Sequence, residues 1–119
     1  MLKSDNQKRV ATALTIAGSD SGGGAGIQAD LKSFSAHGVY GASVITAVTA
    51  QNTRLVTKVE AILPAMIRAQ IDAVLSDIRI DAIKIGMLAT PAVIDAVADS
   101  LADFCGPIVL DPVSYTHLT

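Results

Sequence analysis

Four short apolar, β-prone runs recur along the chain, at 10–17, 42–50, 81–85 and 108–110, and none alternates cleanly between apolar and polar positions. A strand with one wet face reads with a period of two, whereas a strand covered on both faces reads as a continuous apolar run. The pattern therefore demands helices on both sides of a sheet, and the intervening segments supply them. From Ala25 to Ala36, Ile27, Leu31 and Phe34 fall at i, i+4 and i+7, with Gln28, Lys32 and Ser33 on the other side and Gly38 as the C′ residue. Pro64 opens a second helix, whose Ile67, Ile71, Val74, Leu75 and Ile78 carry the strongest helical periodicity in the chain. Thr90 and Pro91 form an N-cap and N1 pair before a third, with Val93, Ile94, Val97 and Leu101 as its inward stripe. The segment 55–62 alternates weakly and reads as a short strand or an extended arm. Strand and helix alternate with connections of a few residues, which predicts an α/β fold with a mainly parallel sheet flanked by helices and right-handed crossovers.

Composition narrows the partners. The 119 residues suffice for one domain, and 50% hydrophobic side chains with a mean hydropathy of +0.48 supply a core and argue against disorder. Nine basic against eleven acidic side chains leave a net charge of −2, and 3% aromatic residues offer no stacking platform, so nucleic acid is not an expected partner. No apolar run approaches the roughly 20 residues of a membrane span, and the polar start, 1–9, has no apolar signal region behind it. A soluble, cytoplasmic protein with a polar tail is expected. The single cysteine, Cys105, excludes an internal disulfide and is expected as a small buried hydrophobe. His37, at a helix end, reads as structural.

In open α/β sheets, ligands sit outside the carboxyl ends of the strands. Three polar groups fall at such ends: the loop from Gly18 to Gly26, the set from Gln51 to Thr53, and Asp111. The loop holds Gly22, Gly23, Gly24 and Gly26, which permit positive φ and close approach to a ligand. Its spacing fits neither the Walker pattern nor the dinucleotide fingerprint, leaving a close-approach loop or a tight strand-to-helix turn. Asp30 lies about 40° from Phe34 and about 60° from Ile27 around the helix, at the edge of the buried stripe, where a ligand is within reach of a side chain that otherwise reads as a solvated carboxylate. Gln51 offers a donor and an acceptor side by side, the complement of a flat heterocycle with an amino group next to a ring nitrogen, unless it is a plain loop amide. Asp111, followed by Pro112, is the carboxylate best placed for Mg²⁺, directly or through water, the alternative being a turn-initiating Asp.

The segments ALTIAGSDSGGGAGIQADLKSFSAHGVYGASVITAVTAQNT, SDIRIDAIKIGMLAT and IVLDPV closely resemble the hydroxymethylpyrimidine/phosphomethylpyrimidine kinases of thiamine biosynthesis, members of the ribokinase-like superfamily, over about Ala13 to Val113. The resemblance implies ATP-dependent phosphorylation of 4-amino-5-hydroxymethyl-2-methylpyrimidine and then of its monophosphate. It implies pyrimidine-binding positions at Gly18, Asp30, Gln51, Met87 and Val113, the glycine loop lying over the substrate, and Asp111 near Mg²⁺ and the phosphates. Residues 10–113 are then the N-terminal part of one kinase domain, with the ATP site and catalytic base in a C-terminal half. The stretch 114–119 departs from the family pattern and reads as a non-family tail. The resemblance also implies a homodimer for the full-length protein, and this chain alone is expected to be inactive. The competing readings are a pyridoxal/pyridoxine kinase and a noncatalytic small-molecule binding module.

Overall fold

The structure, a computed structural model, describes residues 9–111. Most of the expected polar tail, Val113 and the stretch 114–119 lie outside the described residues. The elements are β1 (Thr12–Ala17), α1 (Gly26–Ala36), β2 (Tyr40–Ile45), β3 (Ala47–Gln51), β4 (Val56–Ala61), α2 (Pro64–Leu75), β5 (Ala82–Ile85), α3 (Pro91–Ser100) and β6 (Ile108–Leu110). A parallel sheet runs in the order β2-β1-β5-β6, and β3 and β4 form a separate antiparallel pair. Among the described residues no helix is long and apolar enough to cross a membrane.

The period of two in the strands decides which helix covers which face. Leu14 and Ile16 of β1, Val44 of β2 and Ile83 and Ile85 of β5 form one cluster with Ile67 and Ile71 of α2 and Val93 and Val97 of α3. The alternate residues of the strands face α1, where Gly41 leaves room for Leu31 and Phe34: a Cβ there would stand 2.8 Å and 2.9 Å from their side chains. The sheet is thus covered on both sides at β1, β2 and β5. Helix α1 closes as the sequence predicts. Gly38, at φ +73, donates its N–H to the Ser35 carbonyl and Val39 donates to Phe34, the paired bonds of a Schellman turn. Thr90 caps α3 by accepting the Val93 N–H at 3.2 Å.

Several expectations need correction. The run 42–50 is two strands, broken at Thr46. The Thr46 N–H still donates to Ala17 of β1, but its carbonyl accepts from Ile62, past the end of β4, so the chain leaves one sheet for the other within a single residue. The stretch 55–62 is settled as strand β4. Helix α2 stops at Leu75, short of Ile78, which packs against the core from outside the helix. In α3, Ile94 points outward and Ala96 takes the buried place, because one residue's step of about 100° carries Ile94 off the stripe set by Val93 and Val97. Cys105 is exposed rather than buried. Strand β6 is exposed along its length, with Leu110 at 68%.

Candidate functional site

At the carboxyl ends of β1, β3, β5 and β6 lies a cleft of ≈ 480 Å³, within the range of small-molecule sites. Gly18, Asp30, Gln51, Met87 and Asp111 all line it, together with Gly26 from the glycine loop. The three polar groups read as separate candidates along the sequence therefore meet in one place. Val113 lies outside the described residues. Val56 and Val59 of β4 join Met87 as an apolar wall.

The floor of the cleft follows from strand register. Lys84 alternates with the buried Ile83 and Ile85, so it faces α1, and it stands directly across from Thr15 of β1. Helix α1 places Asp30 over the two. The Thr15 hydroxyl donates to Asp30 Oδ2 at 2.6 Å and Lys84 Nζ pairs with the same oxygen at 2.8 Å. Lys84 Nζ also lies 3.8 Å from Asp111 Oδ2, so a single ammonium links the acidic residue at the start of the cleft's helix to the one at the exit of β6. The Asp30 and Lys84 side chains are only 18% and 22% exposed, and a carboxylate held there depends on this cation. Sequence reasoning missed Lys84 and Thr15. A lysine inside a run expected to be covered on both faces was itself the signal, since a buried ammonium calls for a counter-charge.

The glycine loop is organised by Asp20, a second residue that sequence reasoning passed over. Its carboxylate is buried and accepts the N–H groups of Gly22 (2.7 Å), Gly24 (3.0 Å) and Ala25 (2.8 Å). These amides are the donors with which such a loop would hold a phosphate, and here the chain's own carboxylate occupies them. Gly22 is turned against Asn52, where a Cβ would meet the backbone at 3.0 Å, while Lys32 donates to the Gly23 carbonyl. The tight-turn reading thus accounts for Gly22, Gly23 and Gly24, and Gly26 alone of the four borders the cleft. Gly26 has φ +59, and a Cβ there would lie 2.3 Å from the Gly18 carbonyl oxygen. That carbonyl accepts the Ile27 N–H, closing β1 onto the start of α1.

Gln51 is held from several directions. Its backbone N–H donates to Ser21 Oγ, which donates in turn to the Gln51 carbonyl, tying the loop to the end of β3. Its side chain approaches Thr49, whose Oγ1 is 3.0 Å from Gln51 Oε1 and 2.7 Å from the Ser19 carbonyl oxygen. His37 makes a ring contact with the Ser33 carbonyl at 2.8 Å, away from the cleft, as a structural residue would.

No group of three or more His, Cys, Asp or Glu side chains able to hold a metal occurs among the described residues. Of the carboxylates lining the cleft, Asp20 accepts loop N–H groups, Asp30 pairs with Thr15 and Lys84, and Asp111 stands at the exit of β6, 3.8 Å from Lys84 Nζ; one such carboxylate fits magnesium, an ion usually held by one or two carboxylates with phosphates and water completing its shell.

Comparison with known proteins gives the family and the fold. The family described as "Phosphomethylpyrimidine kinase" matches residues 20–118. A hydroxymethylpyrimidine/phosphomethylpyrimidine kinase of Rhizobium meliloti is 63% identical over 103 residues, covering 87% of this chain and 39% of its own length. The crystal structure of phosphomethylpyrimidine kinase from Clostridium difficile superposes with a TM-score of 0.83 at 54% identity, over 87% of this chain and 45% of that one. An ADP complex of Bacillus subtilis pyridoxal kinase gives 0.79 at 41% identity, over 87% and 40%. The ribokinase-like α/β fold expected from the sequence is thus the one observed. The chain spans 39–40% of the length of the curated relatives it matches first.

Proposed function

The chain belongs to the phosphomethylpyrimidine kinase family, and from that premise we propose that its cleft holds 4-amino-5-hydroxymethyl-2-methylpyrimidine, and then the monophosphate, for phosphorylation by ATP in thiamine biosynthesis. The observation that carries the reading is the convergence of Gln51, Asp30 and Met87 on one cleft. Gln51 pairs with the amino group and adjacent ring nitrogen, and a ring lacking those groups leaves the amide unsatisfied. Met87, Val56 and Val59 cover the ring's apolar surface. Lys84 and Thr15 hold Asp30 still, so its carboxylate meets the ligand without first being ordered.

Asp111 is the residue assigned to magnesium. Bound magnesium would supply charge neutralisation on the phosphoryl group being transferred. Asp20 fills the glycine loop's donors, so the nucleotide's phosphates are assigned elsewhere than to Gly22 and Gly24. The catalytic base and the ATP site are assigned outside the described residues, and the 119-residue chain binds the pyrimidine without turning it over. The cytoplasmic homodimer implied by the resemblance belongs to the same proposal.

Titration calorimetry of the chain with the aminopyrimidine and with pyridoxal tests the reading. Binding of the aminopyrimidine is expected, weakened about fivefold to 150-fold in Gln51→Leu, the span of one to three kcal/mol for an unpaired amide. Preference for pyridoxal, or indifference to Gln51→Leu, overturns it. Substrate-dependent release of ADP by the chain alone overturns the assignment of the ATP site.

A further inference from the structure

The Thr49 hydroxyl has one proton and two neighbours close enough to receive it, the Ser19 carbonyl oxygen at 2.7 Å and the Gln51 side chain at 3.0 Å. A backbone carbonyl can only accept. A carboxamide can do either, because a half-turn about its last bond exchanges oxygen for nitrogen at almost no steric cost. Both contacts are satisfied together in one way: Thr49 donates to Ser19, and Gln51 donates an Nε2 proton into a lone pair of the Thr49 oxygen. The structure has the amide in the opposite turn, with Oε1 3.0 Å from a hydroxyl oxygen whose single proton cannot serve both it and Ser19, and the half-turn removes that conflict.

Accepting the proposed function, we infer that Thr49 is a positioning residue that fixes the direction of the Gln51 carboxamide and thereby selects an aminopyrimidine over a hydroxypyridine. Ser19 is well placed to hold the hydroxyl's direction. Its N–H donates to the Ala47 carbonyl, and its Oγ accepts the Thr49 N–H at 3.3 Å, so Ser19 and β3 are locked together on both sides of the contact. Once one Nε2 proton is committed to Thr49, Gln51 shows the cleft an acceptor, Oε1, beside its single remaining N–H. That edge is complementary to an amino group next to a ring nitrogen. A free carboxamide would spend part of its time turned the wrong way, with its donors against the amino group. A phenolic oxygen on a pyridine ring both donates and accepts, so it gains nothing from a fixed amide. Thr49 therefore acts on the ratio of affinities rather than on affinity in general.

The test compares the chain with Thr49→Val, which keeps the shape and removes the hydroxyl, and Thr49→Ser, which restores it. In ¹⁵N-labelled protein without ligand, one Gln51 Nε2 proton, assigned by its loss in Gln51→Leu, is expected to exchange more slowly than its twin. Thr49→Val reduces the difference to that of a free primary amide and Thr49→Ser keeps it. In calorimetry, Thr49→Val is expected to lower the ratio of affinities for 4-amino-5-hydroxymethyl-2-methylpyrimidine and pyridoxine about tenfold, the size of one neutral hydrogen bond, with Thr49→Ser near the parent. Equal weakening of both ligands, or Nε2 protons in the parent chain that differ no more than those of a free primary amide, overturns the inference. The second result decides even if Thr49→Val fails to fold. A parent chain that binds neither ligand, yet shows the slow proton, refutes the proposed function and leaves the fixed amide standing.

Discussion

Lys84 and Asp30, on opposite elements of the fold, meet at 2.8 Å on the floor of the cleft, and the strand register that places Lys84 across from Thr15 makes the meeting unavoidable. Replacing Lys84 by Met leaves a largely buried carboxylate without its cation. The expected loss is about 1–3 kcal/mol in urea unfolding, less than for a fully enclosed pair because both groups keep some water. Adding Asp30→Asn to the same chain should recover part of that loss, since it removes the stranded charge. A double variant less stable than Lys84→Met would mean the pair is not coupled in this way.

Gly26 and Gly38 both hold positive φ, at +59 and +73, but only Gly26 is crowded. Gly38→Ala meets nothing within 4 Å and should cost only the left-handed backbone penalty, about 1–2 kcal/mol. Gly26→Ala adds a collision with the Gly18 carbonyl, so a distinctly larger loss, about 3 kcal/mol or more, is expected. Thermal unfolding followed by circular dichroism ranks the two, and equal losses would contradict the packing of β1 against the start of α1.

Asp20→Ala removes the acceptor of three backbone N–H groups. Stability should fall by about 2–3 kcal/mol, and the amides of Gly22, Gly24 and Ala25 should exchange with solvent much faster while those of β1 stay protected. In the parent chain, inorganic phosphate should leave these three amide resonances unmoved, because the carboxylate already fills their site.

Asp81 is held near pKa 2, well below its ordinary 3.8, chiefly by the Arg9 guanidinium and also by the Thr12 N–H. A carboxyl whose pKa is lowered by folding stabilises the fold at every pH above its unfolded value, and that contribution fades as acid protonates it. Unfolding free energy should therefore decline between about pH 4 and pH 2. The decline should be shallower in Asp81→Asn, and also in Arg9→Ala, measured by urea titration across that range.

Much of this architecture was legible beforehand because burial imposes periodicity. Ile67 and Ile71, or Val93 and Val97, had to share a face once their spacing was seen, and Gly18 and Asp111 had to lie at the same end of a parallel sheet, whereas Gln51 reaches the cleft from the antiparallel β3 and Asp30 from within α1. The break at Thr46 was not legible, since residues on either side are equally β-prone and only the hydrogen bonds to Ala17 and Ile62 separate the two sheets. Asp20 escaped notice for a related reason. An aspartate among glycines looks like solvated loop, and its value as an acceptor appears only when the loop folds around it. The Thr49 hydroxyl became informative only through two distances that no sequence contains.

Strand β6 pairs with β5 along one side, and its Ile108, Val109 and Leu110 side chains stand in water at 42%, 59% and 68% exposure. Among the described residues no strand pairs with the other side of β6, and backbone groups on such an edge beside apolar side chains are a ready template for any β-prone segment that drifts past. In concentrated solution the chain should therefore stick to its own kind before it unfolds, and dilution, more than cooling, should keep it dispersed.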